Sequence, residues 1–462
     1  MTYTAKWIAN ALRTTLQGED REITGGVHTD SRQCQPGSVY VARPGEQADG
    51  HDYIDSAIEN GAVCIIASQP QPEREDVCAV VVPDTTKALG QLAAAHMKRL
   101  RANQNITVIG ITGSVGKTTT KDLLVAILST AAPTVGSEKS YNNEVGMPLT
   151  VLRADETTRY LVLEMGASGR GHLQYLTRIA APDIAVELAV GKAHLGGFGS
   201  VDALARAKAE LVDGLVKGGT AVLNRDDAHV ASMSELVKGG SVMYFSAKGA
   251  KDAQIRATHI RLDENSCPHF DLEAGDVLKR VRLGLVGRHQ VSNALAAIAA
   301  SLRAGLKPEA IVTALNGVTA TSPHRMHVAT RDGITYIDDS YNANPDSMRA
   351  GLEVMCRIGE RAPRRIAVLG EMLELGAASA SLHRDVGKQA AKVDVNVLVT
   401  VGEGAREIAT DLHQRAHCEH FDDPQAAIEW LRHNLRRQDV VFLKGSNGSG
   451  VWQIADALIE NA

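Results

Sequence analysis

The sequence predicts an α/β protein of three domains: a small N-terminal α/β domain, a central P-loop ATPase-like domain with a mostly parallel sheet, and a C-terminal Rossmann-like doubly wound domain. The first reason is length, because 462 residues make about three domains of roughly 150 residues. The second is that apolar strand-like runs alternate with amphipathic helical stretches. The third is a glycine-rich turn between one such run and a helix. We place the domains at residues 1–84, 85–318 and 319–462.

Composition narrows the class of function. The formal net charge is −5, and 44% of the residues are hydrophobic, which is typical of a globular protein and argues against a nucleic-acid partner. No apolar run approaches the roughly 20 residues that span a bilayer, and the first residues lack the pattern of a signal peptide. The six cysteines form no CxxC pair, so we expect neither a zinc site nor a disulfide framework. We expect a cytoplasmic protein without membrane insertion, and a monomer.

The N-terminal region contains three strand-like runs, SVYVA, VCIIAS and CAVVVPD, and one helical stretch, YIDSAIENGA. The polar segments HTDSRQCQPGS and RPGEQADGHD lie between them. These segments either hold a ligand or are ordinary loops, and the pattern alone leaves both interpretations open. The stretch TTKALGQLAAAHMKRLRANQ then predicts a helix that leads into the central domain.

Residues 105–120, NITVIGITGSVGKTTT, predict a phosphate-binding loop. A strand precedes the loop and a helix follows it, so backbone N–H groups and the positive end of the helix dipole point at one place. Gly113 and Gly116 let the backbone approach phosphates, Lys117 reaches the β- and γ-phosphates, and the Thr118 hydroxyl binds Mg²⁺. A strict GxxxxGK[ST] pattern requires glycine where Ile111 stands, so a surface turn with a solvated lysine is the competing interpretation. The residues expected to contact ATP here are Thr112, Gly113, Ser114, Val115, Gly116, Lys117, Thr118 and Thr119.

Two further candidates follow strands of the central domain. Glu164 ends the strand RYLVLEM, and His194 follows the strand PDIAVELAV within GKAHLGGFGS. The carboxyl ends of parallel strands share one edge of the sheet with the phosphate loop, and this edge is where such folds place metal ligands. The pattern alone does not separate these roles from an exposed strand-end glutamate and a structural histidine.

Lys208 interrupts an apolar stripe. Around the predicted helix DALARAKAELVDGLV, Val201, Leu204, Leu211 and Leu215 fall on one face. At about 100° per residue, Lys208 lies in the middle of that face. Such a lysine either extends its ammonium group past its neighbours to solvent or acts inside the protein.

The rest of the chain continues the alternation of strands and helices. The strand TAVLN and the helix RHQVSNALAAIAASLRAG complete the central domain. In the third region, the strand-like segments ITYIDDSY, RRIAVLGEM, NVLVTVG and DVVFLKGS alternate with the helical segments PDSMRAGLEVMCRI, LHRDVGKQAAKV, AREIATDLHQ, QAAIEWLRHNL and VWQIADALIEN. This order predicts a doubly wound parallel sheet.

Eight motifs occur in a definite order along the chain. They are TGSVGKTTT, SYNNEVGMPLT, LEMGA, GKAHLGGFGS, ARAKAE, LNRDD, GRHQVSNALAA and DDSYNANPDS. In order and approximate spacing they resemble the Mur ligases of peptidoglycan synthesis, and VHTDSRQCQPGSVYVARPGEQADGHDYI, LGEMLELG and LKGS extend the resemblance over nearly the whole chain. DDSYNANP is most similar to the branch that adds a dipeptide. The resemblance implies an enzyme that uses ATP and Mg²⁺ to join D-alanyl-D-alanine to UDP-N-acetylmuramoyl-tripeptide through an acyl phosphate.

The resemblance also implies roles for individual residues. The implied catalytic residues are Lys117, Glu164, His194 and Lys208. The implied metal ligands are Thr118, Glu164, His194 and Lys208, the last as a carbamate. The implied contacts to ATP outside the loop are His289 and Asn293, near the adenine, and Arg325 and Asp339, which reach the nucleotide from the third domain when the domains close. The implied substrate contacts are Ser31 and Arg32 for the uridine nucleotide, Asn143 for the muramoyl group, and Asn344 and Ser347 for the dipeptide.

Two alternatives remain at this point. Folylpolyglutamate synthase has a similar central domain but lacks this N-terminal region. A P-loop nucleotide switch would share Lys117 and Thr118 without ligating anything, although it gives no reason for an inward lysine. The chain also departs from the resembled family at Asn447, where a KGSR-like end reads KGSN, and near Ser379, where a GEYS-like stretch reads GAAS.

Overall fold

The computed structural model describes residues 3–45, 48–72, 74–138, 140–191 and 198–459. These residues form four sheets, of which the three larger ones are mostly parallel and carry helices. The predicted α/β class is therefore confirmed. No helix within the described ranges is long and apolar enough to cross a membrane.

The N-terminal part contains a five-stranded sheet and a two-stranded antiparallel ribbon, Tyr3–Thr4 with Glu22–Ile23. In the order in which they pair, the strands of the sheet are Leu16–Gln17, Cys78–Val81, Ala62–Ala67, Ser38–Val41 and Val27–His28. The helices are Ala5–Ala11, Ile54–Glu59 and Thr85–Asn103. The Asp84 carboxylate accepts a hydrogen bond from the Lys87 backbone and so caps the long helix where the sequence predicts its start.

The central part is built on a nine-stranded sheet. In pairing order its strands are Val277–Arg282, Pro268–Ala274, Ile255–Leu262, Ser241–Ser246, Thr220–Asn224, Ile184–Glu187, Thr107–Thr112, Tyr160–Glu164 and Thr134–Gly136. Pairing is parallel except at the first two junctions, where an antiparallel hairpin extends the sheet. The sequence analysis did not predict the three strands of residues 255–282. In these strands charged residues, such as Arg256 and Lys279, alternate with apolar ones. They therefore lack the continuous apolar run that identifies a buried strand.

Helices cover both faces of this sheet. They are Lys117–Leu128, Gly146–Leu152, His172–Ile179, Val201–Asp213, Ala228–Ser232, Gln290–Arg303 and Pro308–Leu315. On one face Ile109 and Val186 pack with Leu295, and on the other Ala185 packs with Leu211. With both faces covered, the edge at the carboxyl ends of the parallel strands is the place where a ligand can reach the backbone.

The C-terminal part has a six-stranded sheet that is parallel except for its first strand. In pairing order its strands are His327–Arg331, Ile334–Asp338, Val440–Lys444, Arg365–Gly370, Val397–Val401 and His417–Phe421. The helices are Pro345–Ile358, Ser379–Lys392, Arg406–Ala409, Pro424–Asn434 and Val451–Ile459. The segment AREIATDLHQ, predicted as a helix, forms only the one-turn helix Arg406–Ala409, and Leu412 beyond it is buried in the core. The limits of the three domains as folding units stay predictions.

Gly351 allows the helix Pro345–Ile358 to pack closely on the C-terminal sheet. A Cβ atom at Gly351 would overlap the ring of Phe442, which is fully buried. Alanine favours a helix over glycine by about 1 kcal/mol, but overpacking of a core typically costs about 1–3 kcal/mol. We therefore expect Gly351→Ala to lower the free energy of unfolding, measured by urea denaturation. The control is Gly169→Ala, where a Cβ atom would meet nothing within 4 Å, and an equal effect of both changes would contradict the packing argument.

Candidate active site

The phosphate loop lies between the strand Thr107–Thr112 and the helix that begins at Lys117. Gly113 and Gly116 have φ angles of 153° and 83°, values that side chains with a Cβ atom rarely adopt. A Cβ atom at Gly116 would also overlap the amide oxygen of Asn293. The loop therefore has the strand, glycine turn and helix N-terminus of an anion-binding site.

Lys117 folds back over this loop. Its Nζ donates to the carbonyl oxygen of Gly113 at 2.9 Å. Burial lowers the pKa of Lys117, an effect that nearby Glu164 opposes and nearby Arg325 strengthens. Lys117 is half-buried and lines a cavity, which disfavours the competing interpretation of a solvated lysine on a surface turn.

Glu164 lies at the end of its strand and is almost fully buried. Its Oε2 accepts from the Thr118 hydroxyl at 2.9 Å, and its Oε1 accepts from the side-chain amide of Asn142 at 2.8 Å. Metal–oxygen bonds of about 2.1 Å at right angles place adjacent ligand oxygens about 3.0 Å apart. The Thr118 and Glu164 oxygens thus fit two neighbouring positions of an Mg²⁺ ion. His194, the third predicted ligand, lies outside the described residues.

Lys208 is only 2% exposed and borders the same cavity. It does not extend its ammonium group into bulk solvent, so of the two interpretations left open by the sequence the structure supports a role inside the protein. Burial lowers its pKa to about 7; Lys117 adds to this effect and Glu187 opposes it. Burial therefore favours the neutral amine more than it would be favoured in an exposed lysine.

Glu187 was missed by the sequence analysis. It is fully buried at the end of the strand Ile184–Glu187, and burial raises its pKa well above the usual range, against the opposing charge of Lys208. One feature of the sequence could have identified Glu187: it is a charged residue inside an otherwise apolar strand. Both faces of a parallel sheet are covered, so a charged residue in such a strand is unusual.

The C-terminal domain contributes two predicted residues at the phosphate loop. Arg325 Nη2 donates to the Thr118 hydroxyl at 3.2 Å and to the Ser140 hydroxyl at 3.1 Å. The Asn344 side-chain amide donates to the carbonyl oxygen of Ser114 at 3.4 Å. Residues more than 180 positions apart in the chain thus meet around the loop.

Asp339 has partners that the sequence analysis did not identify. Its Oδ1 accepts from the Met326 backbone at 3.1 Å, and its Oδ2 pairs with Lys444. Lys444 is 2% exposed and also donates to the carbonyl oxygen of Asn342 at 2.8 Å. The motif LKGS marked this segment, but nothing in the sequence places its lysine against Asp339.

Three residues predicted to contact substrate line the cavity and also form hydrogen bonds at or near the start of a helix. Asn344 and Ser347 form a reciprocal capping box at the start of the helix Pro345–Ile358. The Asn143 side chain accepts from the Gly146 backbone at 2.9 Å. Asn344, Ser347 and Asn143 therefore have structural roles whether or not they bind substrate.

The adenine candidates lie where the helix Gln290–Arg303 begins. The Asn293 side-chain amide donates to Gln290 Oε1 at 2.7 Å. Burial lowers the pKa of neighbouring His289, although Asp339 opposes this effect.

One cavity of about 780 Å³ brings most of the candidates together. Its lining includes Ser114, Val115, Gly116, Lys117, Thr118, Thr119, Asn143, Glu164, Lys208, His289, Asn293, Arg325, Asp339, Asn344 and Ser347. Four described candidates, Thr112, Gly113, Ser31 and Arg32, are not part of this lining. Thr112 is buried in the strand below the loop. Ser31 and Arg32 lie in the N-terminal domain, where the Arg32 guanidinium pairs with Asp30 at 2.7 Å.

Comparison with known families identifies the architecture. Residues 24–97 match the catalytic domain described for the Mur ligase family, residues 111–301 the Mur ligase middle domain, and residues 324–447 the glutamate ligase domain of Mur ligases. The chain belongs to the Mur ligase family.

Relatives of this Mur ligase match it over nearly the whole of both chains. A UDP-N-acetylmuramoyl-tripeptide–D-alanyl-D-alanine ligase of Mycobacterium tuberculosis is 42% identical, over 95% of this chain and 93% of the relative. The crystal structure of MurF from Acinetobacter baumannii aligns with a TM-score of 0.87 at 31% identity, over 100% of this chain and 99% of the other. MurF from Thermotoga maritima, solved in complex with ADP, aligns with a TM-score of 0.78 at 28% identity, over 94% and 96%. The predicted three-domain organisation is confirmed by these neighbours.

Proposed function

We propose that this Mur ligase joins D-alanyl-D-alanine to UDP-N-acetylmuramoyl-tripeptide with the conversion of ATP to ADP and phosphate. The observation that carries the proposal is the meeting of Arg325, from the C-terminal domain, with Thr118 of the phosphate loop in one cavity. The names of the relatives supply the two substrates, and the ADP complex of a structural neighbour supports ATP as the nucleotide.

The chemistry requires an activated carboxylate. A carboxylate does not react with an amine at neutral pH, so transfer of the γ-phosphoryl group to the tripeptide first gives an acyl phosphate. The amine of the dipeptide then attacks the acyl carbon, and the tetrahedral intermediate expels phosphate. A C-terminal domain that lies over the phosphate loop keeps water from the acyl phosphate.

The residues of the cavity fit this sequence of steps. Lys117 offers a fixed positive charge to the transferred phosphoryl group, and Arg325 offers a second from the opposite side. Thr118 and Glu164 would hold Mg²⁺, which neutralises charge between the two anionic substrates. His194 and Lys208 complete the proposed set of metal ligands.

We further propose that Lys208 acts as a carbamate. Only the neutral amine of a lysine adds CO2, and burial favours that form here. The product ends in a carboxylate, which is a suitable oxygen ligand for Mg²⁺. The rival is an unmodified lysine whose ammonium group contacts phosphate directly.

The setting of the enzyme is also a proposal: a cytoplasmic monomer with neither a nucleic-acid partner nor membrane insertion. A formal net charge of −5 disfavours a polyanionic partner. All six cysteines are free thiols, as is usual in a reducing compartment.

The test of the function is product analysis. Purified protein with ATP, Mg²⁺, UDP-N-acetylmuramoyl-tripeptide and D-alanyl-D-alanine should yield the UDP-pentapeptide, detected by mass spectrometry. Phosphate release should depend on both the tripeptide and the dipeptide. ATP hydrolysis indifferent to both would favour a nucleotide switch, and product formed from folate and glutamate would favour a folylpolyglutamate synthase.

Arg325→Ala should weaken the contact between the two domains. A charge-assisted hydrogen bond contributes about 1.5–3 kcal/mol, so we expect kcat to fall by about tenfold to a hundredfold. Small-angle scattering with saturating nucleotide and tripeptide should give a larger radius of gyration for the variant than for the parent. The control is Arg384→Ala, an exposed arginine that pairs with Glu407 at 3.0 Å. Unchanged kcat and scattering for Arg325→Ala would remove Arg325 from the mechanism.

A further inference from the structure

Arg325 lies in a turn whose backbone is strained on both sides. The residues that flank it, His324 and Met326, have φ angles of 56° and 52°. Residues with a Cβ atom rarely adopt this left-handed conformation, because the Cβ atom comes too close to the following carbonyl oxygen. Two such residues around one arginine persist only if the surrounding structure holds them in place.

Two successive aspartates hold this turn. A carboxylate accepts hydrogen bonds, so the His324 ring donates from Nδ1 to Asp338 Oδ2, at 2.8 Å. The Met326 backbone donates to Asp339 Oδ1 at 3.1 Å, and the His324 carbonyl oxygen accepts from the Tyr341 backbone at 3.2 Å. Asp338 is only 4% exposed and ends a strand of the C-terminal sheet. The turn is therefore fixed to the end of that strand.

The chain enters the turn from a second anchor. Two residues before His324, the Ser322 hydroxyl donates to Asp122 Oδ2 at 2.6 Å. Asp122 lies on the helix Lys117–Leu128, which begins at the phosphate loop. Only Pro323, whose φ angle is locked by its ring, separates the two anchoring residues. With Ser322 fixed to the central part of the molecule, the hydrogen bond of His324 sets the direction of the residue that follows it.

The side chain of Arg325 extends from this turn to the phosphate loop. Its Cζ lies 4.2 Å from the centroid of the Tyr341 ring, which is a cation–π distance. Its Nη2 donates to the Thr118 hydroxyl at 3.2 Å and to the Ser140 hydroxyl at 3.1 Å. Tyr341 thus contacts the turn through its backbone and the arginine through its ring. A change of the turn at His324 should therefore move the guanidinium group relative to the loop.

We propose that His324 is a positioning residue of the ligase, because its side chain holds the turn that directs Arg325 at the phosphate loop. His324 is not among the described residues that line the main cavity. It therefore acts on the reaction through Arg325 and not by contact with substrate. The inference rests on the role that the proposed function gives to Arg325.

Substitution can separate two properties of His324. One is the hydrogen bond from Nδ1, and the other is tolerance of a left-handed backbone, in which histidine and asparagine occur more often than most residues with a Cβ atom. Asparagine keeps both properties, because its side-chain nitrogen can take the place of Nδ1. Alanine keeps neither, and glycine keeps the backbone conformation alone. All three lose the longer contact between Nε2 and Asp456 Oδ1, at 3.6 Å.

The test is a double-mutant cycle on the kcat of pentapeptide formation. His324→Ala should lower kcat about tenfold, because a misdirected catalytic group loses much of its effect. In the Arg325→Ala background the same change should lower kcat by less than about twofold, since the residue that His324 positions is gone. His324→Asn should keep kcat within about threefold of the parent. The control is His433→Ala, which should leave kcat unchanged, because this exposed histidine bonds to the Glu429 carbonyl oxygen at 2.7 Å, on a helix outside the cavity lining.

Three results would overturn the inference. Unchanged kcat in His324→Ala would show that the turn directs Arg325 without this side chain. A loss by the same factor with and without Arg325 would show that His324 acts by another route, such as the stability of the fold. An equal loss in His324→Asn and His324→Ala would show that the hydrogen bond from Nδ1 is not what matters.

Two further outcomes have a definite meaning. Should His324→Ala fail to fold, His324→Gly takes its place in the cycle, because glycine adopts the left-handed backbone without strain. Pentapeptide formation by the parent leaves the proposed function standing whatever the variants do. A parent that forms no pentapeptide would overturn both the proposed function and the inference.

Discussion

Lys117→Ala should lose most of the ligase activity while the protein stays folded. The lysine lies over the phosphate loop, with its Nζ 2.9 Å from the Gly113 carbonyl, where it offers a fixed positive charge to the transferred phosphoryl group. Removal of one such preorganised group typically costs about 3–4 kcal/mol in the transition state, or roughly a hundredfold to a thousandfold in kcat. The measurement is the steady-state rate of pentapeptide formation at saturating substrates.

Two comparisons make this result specific to the loop. Lys217→Ala changes an exposed lysine in the turn that follows the helix Val201–Asp213. This change should leave kcat unchanged. Thermal unfolding of both variants should match the parent. A kcat for Lys117→Ala within about tenfold of the parent, one decade being 1.4 kcal/mol, would overturn the assignment of residues 112–119 to ATP.

Lys208→Ala should reduce kcat by a comparable factor, and the type of small molecule that restores activity should reveal the chemical form of the lysine. If the carbamate is the active form, the variant lacks a carboxylate-like oxygen ligand. Short-chain carboxylic acids should then restore part of the activity. If an ammonium group contacts phosphate instead, alkylamines should restore it.

Restoration of the activity of Lys208→Ala by a small molecule is informative because Lys208 is almost completely buried but borders the cavity. Truncation to alanine leaves a space that a small solute can enter from that side. The control is the same panel of acids and amines added to Lys117→Ala, which has lost a different group. Rescue of Lys208→Ala by amines alone would remove the carbamate from the mechanism.

Features encoded in short stretches of sequence were predicted correctly. The turn between the strand Thr107–Thr112 and the helix Lys117–Leu128 was found because glycines at 113 and 116 and the following helix-forming residues specify the backbone locally. The connecting helix Thr85–Asn103 was found because a run of helix formers defines it locally, and the structure adds the cap at Asp84. The burial of Lys208 was suggested because an apolar stripe has only one orientation towards a core.

Features that depend on pairing with distant segments were missed or left open. The antiparallel strands of residues 255–282 carry charged residues on their open face, and only the hairpin register shows that they extend the central sheet. The pairing of Lys444 with Asp339 joins the ends of two strands, at positions 105 residues apart in the chain. No periodicity in the sequence encodes such a contact.

The sequence by itself determined the fold class, the phosphate loop and, through ordered motifs, the family, because these depend on local backbone preferences and on residue order. Only the tertiary structure decided which groups meet. It brought Arg325 onto Thr118, left Ser31 and Arg32 outside the main cavity, and buried both Glu187 and Lys208. The physical reason is that charge, burial and hydrogen-bond satisfaction are properties of the space around a side chain, and that space is filled by residues from distant parts of the chain.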